Sequence, residues 1–272
     1  MRVVMQVNKA DIQKRCTDAV FERGQNYYAE GKVHERRRVD DIITATVEGS
    51  KLYDVTLSLA EPDFEPSCTC LYDGPGECKH VVAVLLSLIN ELPEDEGERL
   101  DAVFEGIDTT ELQAFVREEL ARDDAMLDRF FATFDATSGK SHEAYQDDVA
   151  QLFEEHTREY PVVIDAIDFS QLTDLGERYQ DRGRYRQAAA VYRGLVAGID
   201  DNIELVDGAY DHYARVFGES LDAYVECVTA TDLSSSEYES YEQFLVERIE
   251  SGSQIHREQF ERALSTLQAA TE

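Results

Sequence analysis

Four residues whose side chains bind soft metal ions lie within thirteen positions of the sequence. They form a Cys-X-Cys pair, Cys68 and Cys70, and a Cys-X-His pair, Cys78 and His80. A structural zinc site takes four cysteine or histidine ligands in a tetrahedron. Three thiolates and one imidazole complete that set and leave no coordination position for water. The residue types and their spacing therefore predict a structural Zn²⁺ site.

The residues around these ligands supply the geometry that such a site needs. Alternate side chains of an extended segment point to one face, so Cys68 and Cys70 can aim at the same ion. Residues 72–76, Tyr-Asp-Gly-Pro-Gly, are typical of a tight reversal. Cys78 and His80 then stand at the start of an apolar helix predicted over residues 79–92, whose positive N-terminal end favours thiolate over thiol.

Two other interpretations of the four residues are weaker. A single cysteine is usually a small core residue, and a cysteine pair can form a disulfide, but four ligand types at this spacing favour a metal. A catalytic zinc site keeps an open coordination position and usually has fewer cysteines. No Cys-X-X-Cys motif of the kind that zinc deaminases use is present, and neither a Ser/His/Asp set nor a phosphate-binding loop is visible. We therefore expect no enzymatic activity.

The same residues resemble a known family. Cys68-X-Cys70, a short loop and Cys78-X-His80 leading into an apolar helix look like the SWIM-type zinc finger. The stretch from Phe21 to Val33 is similar to the segment that precedes the finger in many microbial SWIM proteins. The resemblance covers the first third of the chain. It implies DNA binding or protein–protein contact rather than catalysis.

The charge of the chain is strongly negative. The sequence has 57 acidic and 26 basic residues, a net charge of −31, and 43% hydrophobic residues. The electrostatic field of this negative charge argues against a general nucleic-acid-binding surface. Repulsion among the acidic side chains also opposes compaction in dilute buffer. Salt at about 1 M shortens the screening length to about 3 Å and removes most of the repulsion. The composition, with 20 Arg and 6 Lys, is typical of a haloarchaeal, salt-rich cytoplasm, so we expect stability to rise with molar KCl.

The remaining cysteines and the hydropathy pattern bear on the compartment. Cys16 and Cys227 lie outside the cluster and are interpreted as core residues, which suits a reducing environment. The sequence has no apolar run of signal-peptide length and none near the roughly 20 residues of a membrane span. These features predict a cytoplasmic protein without a membrane partner.

The basic residues are concentrated near the N-terminus. Residues 1–90 carry 11 basic and 14 acidic side chains, net −3, whereas residues 91–272 carry 15 and 43, net −28. Guanidinium groups match phosphate bidentately, which makes the basic group a candidate nucleic-acid-binding site. Its members are Arg23, Lys32, Arg36, Arg37 and Arg38. The alternative is a solvated strand, because Asp40 and Asp41 follow directly, and this alternative stays open.

The periodicity predicts an α+β fold. Residues 52–59 alternate between apolar and polar side chains, as expected for a half-buried antiparallel strand. Together with extended segments near 32–39 and 42–47, this strand predicts a small antiparallel sheet. We expect the 79–92 helix to pack on that sheet and zinc to clamp the two together. An all-α array of helical hairpins is expected to follow.

The predicted domains follow from this division. They are a SWIM-type module at 1–92, an acidic linker at 93–98, a helical segment at 99–160 and tetratricopeptide-like hairpins at 161–272. Within the third, an apolar stripe from Met126 to Phe134 is expected to pack in a core.

One segment resembles a tetratricopeptide repeat. Its small and aromatic residues lie where such a repeat places them: Leu175, Gly176, Tyr179, Gly183, Ala188 and Tyr192. A peptide groove and a purely structural helical pack are both compatible with it. The sequence as a whole predicts an interaction protein that contacts protein partners, with DNA contact through Arg36–Arg38 as the alternative.

Overall fold

A computed structural model of the chain describes residues 8–59, 66–72, 74–135, 139–158 and 160–270. Asp73, in the middle of the predicted reversal, lies outside the described residues. The chain divides into two compact units, Met1–Gln113 and Ala114–Glu272. The α+β prediction is confirmed, because an antiparallel sheet near the N-terminus is followed by an array of helices.

The sheet of the first unit has four antiparallel strands in chain order. They are β1 (Val33–Val39), β2 (Ile42–Glu48), β3 (Leu52–Ser58) and β4 (Pro66–Cys68). Side chains of β2 and β3 alternate between buried and exposed because one face of the sheet covers the core. In β3 the buried positions are Val55 and Leu57, followed by Leu59, as the alternation predicts.

Among the described residues, four helices lie wholly within this unit: α1 (Lys9–Lys14), α2 (Asp18–Ala29), α3 (Lys79–Asn90) and α4 (Gly97–Gly106). Helix α3 is buried from His80 to Leu88, because α2 packs along it and the strands of the sheet also contact it. A Cβ atom on Gly24 of α2 would lie 2.4 Å from Cγ1 of Val82. Only glycine therefore permits this close approach of the two helices.

Residues 93–98, the predicted linker, are bonded to β1. Arg38 and Asp95 form an ion pair of 3.2 Å, and the Arg37 guanidinium donates two hydrogen bonds of 3.1 Å to Glu96. The amide of Glu96 also donates to the carbonyl of Arg38 at 2.9 Å. The segment is therefore fixed to the sheet, and the first compact unit extends beyond it. The four-part domain division stays a prediction.

The second unit is helical. The division between the units falls within α5 (Thr109–Leu120). In the part of the chain that the structure describes, α5 is followed by seven helices and one short 3-10 turn at Ile203–Leu205. The helices are α6 (Asp124–Phe134), α7 (His142–His156), α8 (Ser170–Gln180), α9 (Tyr185–Asn202), α10 (Tyr210–Ala230), α11 (Ser235–Ser251) and α12 (Arg257–Ala269). Helix α9 is the centre of the core because it packs against α7, α8 and α10. None of the helices in the described ranges is both long and apolar enough to cross a membrane.

The α8–α9 hairpin has the small-to-aromatic packing that the sequence indicates. A Cβ atom on Gly176 would lie 2.5 Å from Cζ of Tyr192, so glycine lets the tyrosine ring fill the space between the helices. Gly183, between the helices, has a φ of +67°, a conformation that side chains disfavour. Membership of the tetratricopeptide family stays a prediction.

The expectation for the apolar stripe of α6 is wrong. Phe134 is 72% exposed, and Met126 and Phe131 are also exposed, while Ala132 is the buried residue of this helix. Helix α6 packs mainly against α8, and Ala132 is the residue of α6 that belongs to the core of this unit. Phe130 and Phe134 pack against each other instead, with ring centroids 4.8 Å apart.

Candidate metal centre

The four predicted metal ligands meet in one cluster. One ligand atom from each of Cys68, Cys70, Cys78 and His80 lies within 4.8 Å of all the others. The Sγ of Cys68 is 3.7 Å from Nδ1 of His80. Zinc–ligand bonds of 2.3 Å to sulfur and 2.0–2.1 Å to nitrogen give tetrahedron edges of about 3.6–3.8 Å. The donor set and its spacing therefore fit a zinc ion, although other metals that accept thiolate share this preference.

The first two ligands are positioned by the pairing of β3 with β4. Cys68 lies opposite Val55 in that pairing. Thr69 faces β3, because its hydroxyl accepts from the amide of Asp54 at 2.9 Å and its amide donates to the Asp54 carbonyl at 3.0 Å. Its two neighbours consequently bring their sulfurs together on the other side, and the amide of Cys70 donates to the Cys68 sulfur at 3.4 Å.

The other two ligands come from the first residues of α3 and the position before it. Cys78 is the N-cap of this helix, and its sulfur accepts a hydrogen bond from the amide of Val81 at 3.4 Å. An N-cap acceptor satisfies an amide that has no partner within the helix. This amide and the helix dipole both favour an anionic sulfur. The predicted placement at the helix entrance is confirmed, although the helix ends at Asn90.

The imidazole of His80 is held by aromatic rings. Its ring stacks on Tyr53 with centroids 4.3 Å apart, and Tyr27 meets it edge to face at 5.5 Å. His80 is 3% exposed, and its Nε2 has no hydrogen-bond partner in the part of the chain that the structure describes. Because Nδ1 faces the sulfur of Cys68, Nδ1 is the imidazole atom that is placed to bind a metal ion. No local pattern in the sequence indicates that either tyrosine contacts His80, although Tyr27 lies in the segment from Phe21 to Val33 and Tyr53 in the predicted strand at 52–59.

The loop before Cys78 is anchored to the connection between α1 and α2. Gly76 has a φ of +74°, and a Cβ atom there would lie 2.2 Å from the carbonyl oxygen of Arg15. The amide of Glu77 donates to that carbonyl at 2.8 Å, and the two side chains form an ion pair of 3.6 Å. Burial raises the pKa of Glu77 although the nearby Arg15 charge opposes this. The anchor holds Cys78 at a defined distance from β4.

The pKa values of the cluster thiols are shifted in different directions. Hydrogen bonds from Cys68 and Cys78 lower the pKa of Cys70 to about 3. The pKa of Cys68 is raised, because it is hydrogen-bonded to Cys70 and Cys78 and because it is buried. A metal ion requires all three thiolates, so binding releases protons. Metal affinity should therefore fall as the pH falls.

Four of the five predicted nucleic-acid-binding residues are engaged in ion pairs within the chain. Arg36 pairs with Glu91 at 3.4 Å and donates to two carbonyls near the end of α3. Arg37 and Arg38 pair with the 93–98 segment, as described above, and Lys32 pairs with Glu30 at 2.6 Å. Within the described residues Arg23 forms no ion pair. The five therefore do not constitute one free basic surface.

A cavity of 250 Å³ opens beside the metal cluster. It is lined by residues of the cluster and of the surrounding elements: Val20, Arg23, Tyr53, Cys70, Leu71, Tyr72, Cys78, Lys79 and His80. Two basic side chains thus border a space that reaches the cysteine and histidine ligands. Comparisons of the chain with protein-family models, curated proteins and solved structures find no match.

Proposed function

We propose that this protein is a zinc-binding, non-catalytic interaction protein built on a SWIM-type finger. The observation that carries the proposal is the convergence of three sulfurs and one imidazole nitrogen within 4.8 Å of one another. Four protein ligands fill a tetrahedral site, so the metal has no position for substrate or water. The role of the ion is then to join the β3–β4 pair to the start of α3.

The partners that fit this protein best are other proteins. The near-neutral finger module and the acidic helical region differ sharply in charge, with net −3 for residues 1–90 and −28 for residues 91–272. A strongly acidic helical surface repels nucleic acid and attracts basic protein surfaces. All five cysteines are free thiols, which supports a reducing cytoplasm.

Copurification tests the partner. The tagged full chain is isolated from native cells in high salt after nuclease treatment, and bound proteins are identified by mass spectrometry beside a Cys70→Ser variant and a Cys16→Ser control. We expect a defined set of proteins with the wild type and the control, reduced with Cys70→Ser. A set of proteins that is present in a parallel isolation without nuclease and absent after nuclease treatment would contradict direct protein contact.

DNA contact through Arg36–Arg38 is the second function that the sequence raised. The internal ion pairs of these arginines give no support to it. Gel shifts with the Arg36/Arg37/Arg38 triple alanine variant provide the decisive comparison. Binding by the wild type that the triple variant loses would refute a function based on proteins alone.

A further inference from the structure

Helix α4 has an apolar face that is open to solvent in the part of the chain that the structure describes. Four apolar side chains recur at intervals of three or four positions, which is the spacing of one helix face. Each is between 37% and 49% exposed, and together they form the α4 stripe: Leu100, Val103, Phe104 and Ile107. Gly97 is the buried residue of this helix. Adjacent exposed apolar side chains mark a contact surface, whereas isolated ones are ordinary.

The start of α4 is fixed to the sheet. The Asp95 carboxylate accepts hydrogen bonds from the amides of Gly97 at 3.0 Å and Asp40 at 2.9 Å. Asp40 lies between β1 and β2, and a Cβ atom on Gly97 would lie 2.8 Å from its carboxylate. The α4 stripe is therefore held in place before a partner arrives, which reduces the entropy that binding would cost.

The surroundings of the α4 stripe are acidic. Asp101 and Glu105 lie one helical turn apart and therefore form a row of carboxylates beside the stripe. Residues 98–111 contain five acidic side chains and one basic side chain, Arg99. Among the described residues, Glu98, Asp101 and Glu105 form no ion pair. These carboxylates are thus free to pair with basic groups from outside the chain.

The charge around the α4 stripe distinguishes two kinds of occupant. A second copy of this chain would place the same carboxylates against each other, and like charges in an interface oppose association. An amphipathic helix that has lysine or arginine beside its own apolar stripe matches both the apolar spacing and the charge. The second occupant therefore fits this face better.

We infer that α4 is the docking site for such a basic amphipathic helix of a partner protein. Its apolar side chains pack on the α4 stripe, and its basic side chains pair with Asp101 and Glu105. The inference rests on the proposed protein-binding function and gives that function a place on the fold and a chemical class of partner. The partner is recognised by the pattern of its helix and not by its charge alone.

Equilibrium binding to the zinc-loaded full chain tests the inference. The probe is a fluorescent peptide of leucine and lysine in which the leucines recur at helical spacing. Its controls are a peptide of the same composition in scrambled order and a peptide with glutamate in place of lysine. We expect each control to bind at least about tenfold more weakly, because the first lacks the stripe and the second adds like charge.

Substitutions locate the binding on α4. Phe104→Ser should weaken binding of the striped peptide about tenfold, because a large apolar side chain is lost from the interface. Asp101→Asn combined with Glu105→Gln should weaken binding about threefold, because exposed ion pairs contribute little. The dependence of the affinity on KCl should also decrease in this double variant, because fewer charges take part.

The matched controls lie in the second unit. Phe134→Ser changes another exposed phenylalanine, and Asp222→Asn with Glu226→Gln changes another exposed carboxylate pair one helical turn apart. Both should keep the affinity within about twofold of the wild type. A wild type that does not bind the striped peptide, equal binding of the scrambled peptide, or an equal loss with Phe134→Ser would overturn the inference. Self-association of the wild type that Phe104→Ser abolishes would identify a second copy as the occupant and would overturn it as well.

The copurification experiment separates this inference from the proposed function when Phe104→Ser is included. Proteins that copurify equally with the wild type and with Phe104→Ser would retain the proposed function and reject the α4 site. A striped peptide that binds to α4 while no protein copurifies would retain the site and reject the proposed function.

Discussion

The two compact units bury very different amounts of apolar side chain. Among the described residues, the core of Met1–Gln113 has 16 buried members, whereas the core of Ala114–Glu272 has 33. The smaller core contains Cys78, which belongs to the metal cluster. Small cores often require a metal or disulfide for stability. We therefore expect the stability of the first unit to depend on a bound metal ion and that of the second to depend on packing.

Loss of a metal ligand should have the largest effect, and only on the first unit. We expect Cys70→Ser to unfold that unit, because structural zinc contributes on the order of 10 kcal/mol to small domains. Hydrogen exchange of the full chain would show lost protection in α3 and the sheet, with α9 unchanged. The matched control, Cys227→Ala, should leave the sheet protected, because this buried thiol lies in the other core. Equal loss in both units would end the distinction between them.

A buried polar group in the second unit allows the opposite test, in which a substitution should destabilise that unit and leave the first unit unaffected. Asp200 is fully buried and accepts from Nδ1 of His256 at 2.9 Å and from the amide of Ser253 at 3.3 Å, and Arg248 lies 3.4 Å away. We expect Asp200→Ala to destabilise the unit by about 3–5 kcal/mol, because it leaves buried partners unpaired. Zinc content should not change.

The neighbouring carboxylate is the control for this variant. Asp201 also pairs with Arg248 but is 43% exposed. Asp201→Ala should cost less than about 1 kcal/mol, since exposed ion pairs contribute little. Denaturant unfolding monitored in α9 would measure both variants. A similar cost for the two would show that the buried network does not stabilise this unit.

Two glycines distinguish close packing from free helix surface. Gly24→Ala in the first unit would bring a Cβ within 2.4 Å of Val82, so we expect a loss of about 1–3 kcal/mol. At Gly218, within α10 of the second unit, such a Cβ would have no atom within 4 Å apart from its chain neighbours and the nearby backbone of its own helix. Gly218→Ala should therefore stabilise by about 0.5–1 kcal/mol through helix propensity. The midpoint temperature of thermal unfolding should fall for Gly24→Ala and rise for Gly218→Ala. A shift of both midpoints in the same direction would contradict this description of the packing.

The smallest expected effect concerns an exposed carboxylate in the second unit. Arg186, together with Ser234, lowers the pKa of Glu237 from 4.5 to about 2. Because the pKa of Glu237 is lower in the folded state, the ionised carboxylate stabilises the fold above pH 4.5. This stabilisation is lost as the pH falls towards 2. Glu237→Gln should lower the melting temperature slightly at neutral pH, and the difference should vanish near the lower limit. An ordinary carboxyl pKa in an NMR titration of the wild type would contradict it.

The sequence predicts those parts of the fold that depend on local spacing. The cluster follows from Cys68-X-Cys70 and Cys78-X-His80, because a period of two and a helix start each set the direction of neighbouring side chains. The alternation in β3 and the small-to-aromatic contact of α8 with α9 are also local patterns. Each of these was confirmed by a burial or a distance.

The features that sequence reasoning missed depend on residues far apart in the chain. Tyr27 and Tyr53 enclose His80 only after α2, β3 and α3 are packed together. The pairing of Arg37 with Glu96 joins positions 59 residues apart. In α6 the aromatic stripe predicted a buried face. Periodicity shows that a helix has an apolar face, but it does not show whether another element of the fold covers that face.

We propose that Cys68, Cys70, Cys78 and His80 bind one zinc ion through three sulfurs and Nδ1. X-ray absorption at the zinc edge of the purified full chain tests it most directly. We predict one zinc per chain with three sulfur neighbours at about 2.3 Å and one nitrogen at about 2.0 Å. Cys70→Ser should lose this signal. A spectrum with two or more oxygen or nitrogen neighbours would contradict this assignment. A purified chain that contains no zinc and is nevertheless fully stable would contradict it as well.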